Sequence, residues 1–557
     1  MIKVFESLQY YSLTAASCPN DCPQDALTIY ESTDISDNNV LSGIALKCCA
    51  VLNDADAAMD IFNSIPGDSK NAASVCAMMR VLVENGQFED ALNIHHDHID
   101  IADARCRTMA IKACAQMDDG HRRAIAIYDH AVSTGTVDLG LKHSMIHFYG
   151  KHKCLEGAEE VLMSIDKTDR DAVTVGSMMT VYMNDGRYSE ALQFYRDHHS
   201  IVNDICTMMA LKTCVFLDDY DAGLNVILIQ SIHDDSFSAD DRSEDNIQLQ
   251  NTFVHFYGHF LDVSAAEKTF ESIPDHRKTI VSITTMMDCY CKKEMYSQCI
   301  DLMMTLLKDP KWKHIEPVPI CIAMALTAVI NMECFEVGQE IYGHLCHDCN
   351  LQWMLTDSDV LTNLITMYGK SGSISVCKQL FEGAGSQHVD VWNAMINCYG
   401  ICGYLDEAVA LFERMCSDDG MEPNRYSYIM LFNAYGHHGQ MDDCQRVWER
   451  IGDVAIKYDS HVMGSIVDGF ARMARLNTAI DWIVEFERFH KRNGSTEWKD
   501  SGRSKAMWIS VLSACRTYGN SLLGEHVSRE TLKRFPDEES AVLALRDKLN
   551  VCSRHHA

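Results

Sequence analysis

Proline is scarce in this chain, nine residues in 557, while methionine is plentiful at 30, a balance that favours helix over sheet. No apolar run approaches the roughly 20 residues needed to cross a bilayer, so a soluble protein with no membrane partner is expected. Positive charge is also short: 48 Lys and Arg face 79 Asp and Glu, for a net charge of −31. Such a surface repels phosphates and argues against generic, backbone-driven binding of nucleic acid, though it leaves base stacking and base edges open. No secretory signal opens the sequence, which argues against reading the 24 cysteines as a disulfide framework. They recur where a helix core wants a small apolar residue, and are expected to be reduced and structural. A phosphate-binding glycine loop, a Gly-x-Ser-x-Gly elbow and the kinase set are all missing. No catalytic residue, metal ligand or cofactor is therefore expected. What remains is a folded composition, 47 % apolar and 23 % charged, too long for one ordinary core. Its charge is uneven, because residues 488–557 hold 13 basic against 8 acidic side chains.

A chain of this length asks first for internal repetition. VWNAMINCYGICGYLDEAVALFERM (Val391 to Met415) and VGSMMTVYMNDGRYSEALQFYRDH (Val175 to His198) run in parallel, and LTNLITMYGKSGSISVCKQLFE (Leu361 to Glu382) is a third copy. One marker, often aromatic or Cys, recurs at Cys49, Leu82, Cys114, Tyr149, Tyr182, Cys214, Tyr257, Tyr290, Val329, Tyr368, Tyr399, Tyr435, Phe470 and Cys515, mostly 31 to 36 residues apart. About nine residues after each stands a small residue, such as Ala58, Ala91, Ala158, Gly223, Gly338 or Ala408, which lets two helices approach closely. Between the two comes a turn signal, often glycine: Gly86, Gly186, Gly372, Gly403, Gly439 and Gly519. Pro66, Pro274, Pro317, Pro423 and Pro536 fall after the second half, where they break no hydrogen-bond ladder. Each unit is thus helix, short turn, helix. One hairpin cannot bury its apolar face alone, so neighbours must stack. The markers themselves read as packing, not chemistry.

Tetratricopeptide and pentatricopeptide repeats share this plan. The segment from Val391 to Asn424 closely resembles the pentatricopeptide consensus, NLITMYGKSGSISVCKQLFE resembles its short variant, and IKACA (Ile111 to Ala115) and LKTC (Leu211 to Cys214) its long variant. The resemblance implies an all-α, right-handed superhelical solenoid of helix-turn-helix repeats. It places a degenerate long repeat in residues 1–38, then about twelve repeats over 39–459 in short, standard, long order. Their starts are 39, 72, 104, 139, 172, 204, 247, 280, 319, 358, 389 and 425; a short-type repeat with a basic insert follows over 460–504. MWISVLSACRTYGN (Met507 to Asn520) resembles the extension motif that ends the subclass of alternating standard, long and short repeats associated with organellar RNA editing, giving an extension-like region over 505–557. That subclass often continues into a cytidine-deaminase-like domain, whereas this chain stops about forty residues after the motif.

In this family the fifth residue of a first helix and the last residue of the unit together read one base. A short polar side chain on the concave face reaches a Watson–Crick edge, and Asn, Thr and Asp offer different donor and acceptor sets. Carried over, the pairs are Gly43/Asn71, Cys76/Asp103, Thr108/Asp138, His143/Asp171, Gly176/Asn203, Asn251/Thr279, Thr284/Val318, Thr362/His388 and Asn393/Asn424. Asn393/Asn424 resembles a pyrimidine reader and Thr108/Asp138 a guanine reader; most others carry an unusual residue at one place. Val40, Val173 and Val281 stand at the second position, where the family wedges an aliphatic between bases. The bland reading of every pair is an ordinary helix-end residue. An exposed ladder of these polar rungs along an inner groove is the expectation on which the rest depends.

One pattern mimics chemistry. His314-Ile-Glu316 followed by Cys346-His-Asp-Cys349 copies the zinc deaminase signature, but a complete helical hairpin separates the halves and no strand scaffold surrounds them. His344, Cys346, His347 and Cys349 read instead as a helix-end loop. The expected function is an adaptor, not an enzyme. It would bind single-stranded RNA and present it to a separate RNA-modifying enzyme docking near residues 488–557, in a mitochondrion or other organelle by family resemblance. The start, MIKVFESLQYYSLTAAS, with one basic residue, does not resemble a transit peptide. The acidic array leaves a rival, a protein-interaction scaffold with little RNA specificity.

Overall fold

A computed structural model describes residues 39–234, 245–385, 388–417, 421–493 and 503–535. Within them every regular element is helical, and the helices pair through linkers of two to five residues. The chain divides in sequence into two compact units, Met1–Phe260 and Leu261–Ala557. In the first, six hairpins begin at Asn39, Ala72, Ala104, Leu139, Ala172 and Asp204, followed by the helix Asp245–His259. The second opens with Val263–Ser272 and continues with seven hairpins beginning at Ile280, Pro319, Ser358, Val389, Arg425, Ser460 and Arg503. The degenerate N-terminal repeat, most of the acidic stretch 233–246, most of the basic insert 490–505 and everything after Phe535, Pro536 included, lie outside the described residues.

The hairpin follows from its markers. Ala58, Ala91, Ala158, Ala191, Cys299, Ala408 and Cys444 are fully buried against their partner helices. All six turn glycines adopt the left-handed backbone, with φ from +66° to +93°, and Asn53, Lys153, Asp218, Glu294, Glu333 and Ala474 take the same hand in other hairpins. A side chain there is tolerated at some cost. Pro66 and Pro274 precede single turns of 3₁₀ helix between hairpins.

Within each unit the first helix of one hairpin packs on the first helix of the next, while each second helix packs on its own first helix and the following one. Glycines make this first-helix stacking close. A Cβ on Gly400 would lie 2.7 Å from the Cβ of Ala434, one on Gly369 2.8 Å from the Cys398 sulfur, and one on Gly150 2.8 Å from a Val181 methyl. At the end of the second unit, the hairpin Arg503–Arg534 is tied to the helix Leu476–Arg492 through Glu487. Glu487, 2 % exposed, accepts from Ser504 Oγ at 3.1 Å, Trp508 Nε1 at 3.0 Å and Arg534 Nε at 3.2 Å. Arg534 also stacks over the Trp508 ring at 4.7 Å. The described cysteines carry free thiols, most of them buried. Among the described residues no helix is long and apolar enough to cross a membrane.

Candidate nucleic-acid interface

A helix needs an oxygen at its N-cap to take the backbone N–H groups that have no intrahelical partner. The last residue of each unit fills that place for the following first helix. Asn71, Asp103, Asp138, Asp171, Asn203, Thr279 and Asn424 all cap in this way, accepting from a backbone N–H up to three residues on. In return the backbone N–H groups of Asn71, Asp171, Thr279 and Asn424 donate to the hydroxyls of Ser74, Thr174, Ser282 and Ser427. Val318 and His388 occupy the same place without a side-chain cap. Capping uses only one polar atom, and what is left differs. The Asn caps keep both amide hydrogens. Asp103 has little to spare, because Arg105 Nε holds its second oxygen at 2.9 Å.

In several hairpins the fifth residue of the first helix lies beside the first turn of the next first helix. His143 Nε2 is 2.7 Å from Thr174 Oγ1 and 3.3 Å from Asp171 Oδ1, and burial lowers its pKa while Asp171 opposes the shift. Asn393 Nδ2 donates to Asn424 Oδ1 at 3.3 Å. Thr284 Oγ1 lies 3.2 Å from Cys321 Sγ, with nothing polar offered by Val318. Gly176 leaves space, since a Cβ there would come no closer than 3.6 Å to Cys206 Sγ, and a Cβ on Gly43 would meet nothing. Cys76 is half-buried, and its hydrogen bond with Cys106 pulls its thiol down to about 7. Thr108 and Thr362 are half-buried. Asn251 and Thr279 belong to different units.

The ladder is less open than the sequence suggests. Thr108, His143, Gly176, Thr284 and Thr362 are half-buried, but Asn251 and Asn393 are only 8 % and 6 % exposed. The physical reason at Asn393 is the close stacking of first helices, which brings the Asn424 turn over it. Three of these rungs nevertheless carry a buried polar atom with no hydrogen-bond partner: Asn251 Oδ1, Thr362 Oγ1 and Asn393 Oδ1. Buried polar atoms are ordinarily satisfied.

Apolar side chains also stand exposed at the second position of several first helices. Val173 and Val281, at the second helical position, are 54 % and 56 % exposed. Ile205 and Ile320 hold the same place in their helices at 56 % and 55 %, and Tyr426 is exposed there too. These last three went unread in the sequence, although each follows the first residue of a helix start that spacing already marks. The side chain of Val40 lies outside the described set. His314, Glu316, Cys346 and Cys349 form no cluster: among the described residues no three His, Cys, Asp or Glu side chains converge as metal ligands would.

Comparison with known proteins bears on this geometry. The PPR repeat model matches residues 173–197, 281–309 and 426–453, and the PPR repeat family model matches 387–437. Over those residues the chain is similar to pentatricopeptide repeats. A mitochondrial pentatricopeptide repeat-containing protein of Arabidopsis thaliana is 24 % identical over 90 % of this chain and 80 % of its own length. The chloroplastic CRR2 of the same plant is 25 % identical over 54 % of this chain, which spans only 43 % of that relative. Among solved structures, pentatricopeptide repeat protein PPR10 in complex with an 18-nt psaJ RNA element aligns over 96 % of this chain and 89 % of its own at 12 % identity, with a TM-score of 0.47.

Proposed function

We propose that this repeat protein is an adaptor that holds a short single-stranded RNA along its first-helix layer and presents it to a separate enzyme. The observation that carries the reading is that the first helices bear both exposed aliphatics and polar fifth residues, Asn393 with an orphaned oxygen among them. Exposed aliphatics recur at the second helical position of several first helices, and Asn393, a fifth residue with an unpartnered oxygen, sits beside the cap Asn424. Unstacked bases need both: an apolar wedge between neighbours and a hydrogen-bonding tip for each edge. A side-chain rotation at Asn393 brings its orphaned oxygen to a base, relieving a cost of about 1–3 kcal/mol. Irregular pairs such as Thr284/Val318 and Thr362/His388 leave the preference partial. The RNA-binding set is then Asn71, Asp103, Thr108, Asp138, His143, Asp171, Gly176, Asn203, Asn251, Thr284, Thr362, Asn393 and Asn424. Relatives named as mitochondrial or chloroplastic support an organellar setting, and the subclass resemblance an editing-type role with the enzyme docking on the C-terminal hairpins.

The net charge of −31 favours the rival, a protein-binding scaffold. Fluorescence anisotropy with single-stranded RNA decides between them. The adaptor reading expects binding with a shallow salt dependence, since few phosphates are neutralised. Replacing Val173, Ile205, Val281 and Ile320 together by Ser should weaken it about tenfold or more without unfolding the protein, because stacking is worth about 1–3 kcal/mol per base. No binding at low salt, or an unaffected quadruple variant, removes the adaptor reading.

A further inference from the structure

We propose that the cleft between the hairpins Ala72–Asp97 and Ala104–Ser133 binds a small oxyanionic metabolite, a phosphate or carboxylate on a compact organic body. The cleft encloses about 520 Å³, the size of a small-molecule site. It is lined largely from the second-helix layer and so lies apart from the row of fifth residues.

Its floor holds two basic side chains that the fold leaves unanswered. Arg107 is 7 % exposed, its Nε is buried without an acceptor, and among the described residues no carboxylate pairs with it. His95 is 5 % exposed, and its Nε2 is likewise buried and unpartnered. The neighbouring Arg123 shows the contrast. Glu89 engages it through both carboxylate oxygens at 2.8 and 2.9 Å, so its charge is already met. An unpaired guanidinium deep in a wall is costly, and a fold tolerates it most readily where an anion completes it. The planar fork of Arg107 suits two oxygens of a phosphate or carboxylate, and His95 supplies a further donor from the facing helix. Leu92, Ile99 and Ile127 give part of the wall an apolar face for the body that carries the anion, while Asn93, His96 and His130 add polar groups around it. Burial, with Arg107, His130 and His96 beside it, brings His95 down to about 4, which keeps it neutral near pH 7.

Titration calorimetry on the full chain tests this with inorganic phosphate, adenosine monophosphate, citrate and uncharged adenosine. At least one anion is expected to bind and adenosine not to; the tightest anion distinguishes phosphate from carboxylate. Arg107→Met should weaken that binding at least tenfold, about 1.4 kcal/mol, while its own melting temperature holds or rises because an unpaired buried charge is gone. Arg107→Lys, which keeps charge but loses the fork, should fall between. Single-stranded RNA affinity should be the same in Arg107→Met and wild type. The proposal is overturned if no anion binds at millimolar concentration, or if Arg107→Met binds as tightly as wild type. It is equally overturned if that variant melts lower, which would give Arg107 a structural partner, or loses RNA, which would make the cleft part of the RNA path.

Discussion

Glu487→Ala should unlatch the last hairpin without touching the array before it. The carboxylate is 2 % exposed and accepts from three donors, so its removal strips Ser504 Oγ, Trp508 Nε1 and Arg534 of a common partner. Breaking a buried ion pair by deleting one member costs about 3–5 kcal/mol. Arg534 keeps Glu530 and its side chain is 22 % exposed, which places the ionic part at the low end. The orphaned indole N–H of the fully buried Trp508 adds about 1–3 kcal/mol. The total of about 4 kcal/mol falls on one terminal hairpin, because the stability of a stacked array is a sum of neighbour interfaces. Hydrogen exchange should therefore rise selectively over 503–534, with residues 39–460 protected as in wild type. Glu487→Gln, which keeps the shape and two acceptor sites, should lose about half as much. RNA affinity is expected to persist in both variants, and capture of an enzyme docking on the C-terminal hairpins to fail in Glu487→Ala. Uniform loss of protection along the chain, or none over 503–534, would refute the reasoning.

Gly400→Ala should destabilise by about 1–3 kcal/mol in thermal melts, because its Cβ would stand 2.7 Å from that of Ala434 on the next first helix; an unchanged melting temperature would mean the first helices are not held that close. Asn424→Asp keeps the N-cap, so stability should stay within about 0.5 kcal/mol, while exchanging donors for an acceptor beside Asn393 should shift base preference in RNA competition on the order of tenfold. An Asn424→Asp protein with unaltered preference would leave Asn424 as a cap alone. For pH, His95 has its folded pKa lowered to about 4 from an ordinary 6.5, first by burial and then by Arg107, His130 and His96. Between those values the unfolded chain binds the proton and the folded chain does not, so the stabilisation is whole above 6.5 and lost as pH falls toward 4, on the order of 3 kcal/mol. Denaturant melts of His95→Leu should be flatter than wild type across that window.

The hairpin was legible because its determinants are local. A buried small residue such as Ala158, a left-handed Gly403 and a proline such as Pro66 act within one unit, and the period repeats them. What links one unit to the next was harder to see. Gly150, Gly369, Gly400 and Gly436 each directly follow a tyrosine marker, so the signal for close first-helix stacking stood in plain sequence, yet a helical glycine ordinarily reads as a weak point. Exposure of Ile205 and Ile320 depends on where the next helix ends, and the missing partners of Arg107 and His95 on what a neighbouring repeat fails to supply. Both are properties of pairs of repeats, and no period reveals them.

That asymmetry also decides how the polar rungs should be weighed. The unit-ending Asn and Asp residues would be selected as N-caps with or without RNA, since each already satisfies a backbone N–H of the following helix; their identity alone argues nothing about bases. The fifth residues have no such duty. A Leu or Ala at residue 393 or 251 would serve the helix equally and leave no orphaned oxygen. Polar side chains retained there against a desolvation cost are hard to derive from folding alone. Single substitutions that separate the two positions, Asn393→Ala against Asn424→Ala, should therefore diverge. The first should lose RNA affinity while gaining or keeping stability, and the second should lose about 1 kcal/mol of stability whatever the RNA does. Equal stability losses in both would place Asn393 in the packing and take the strongest rung out of the groove.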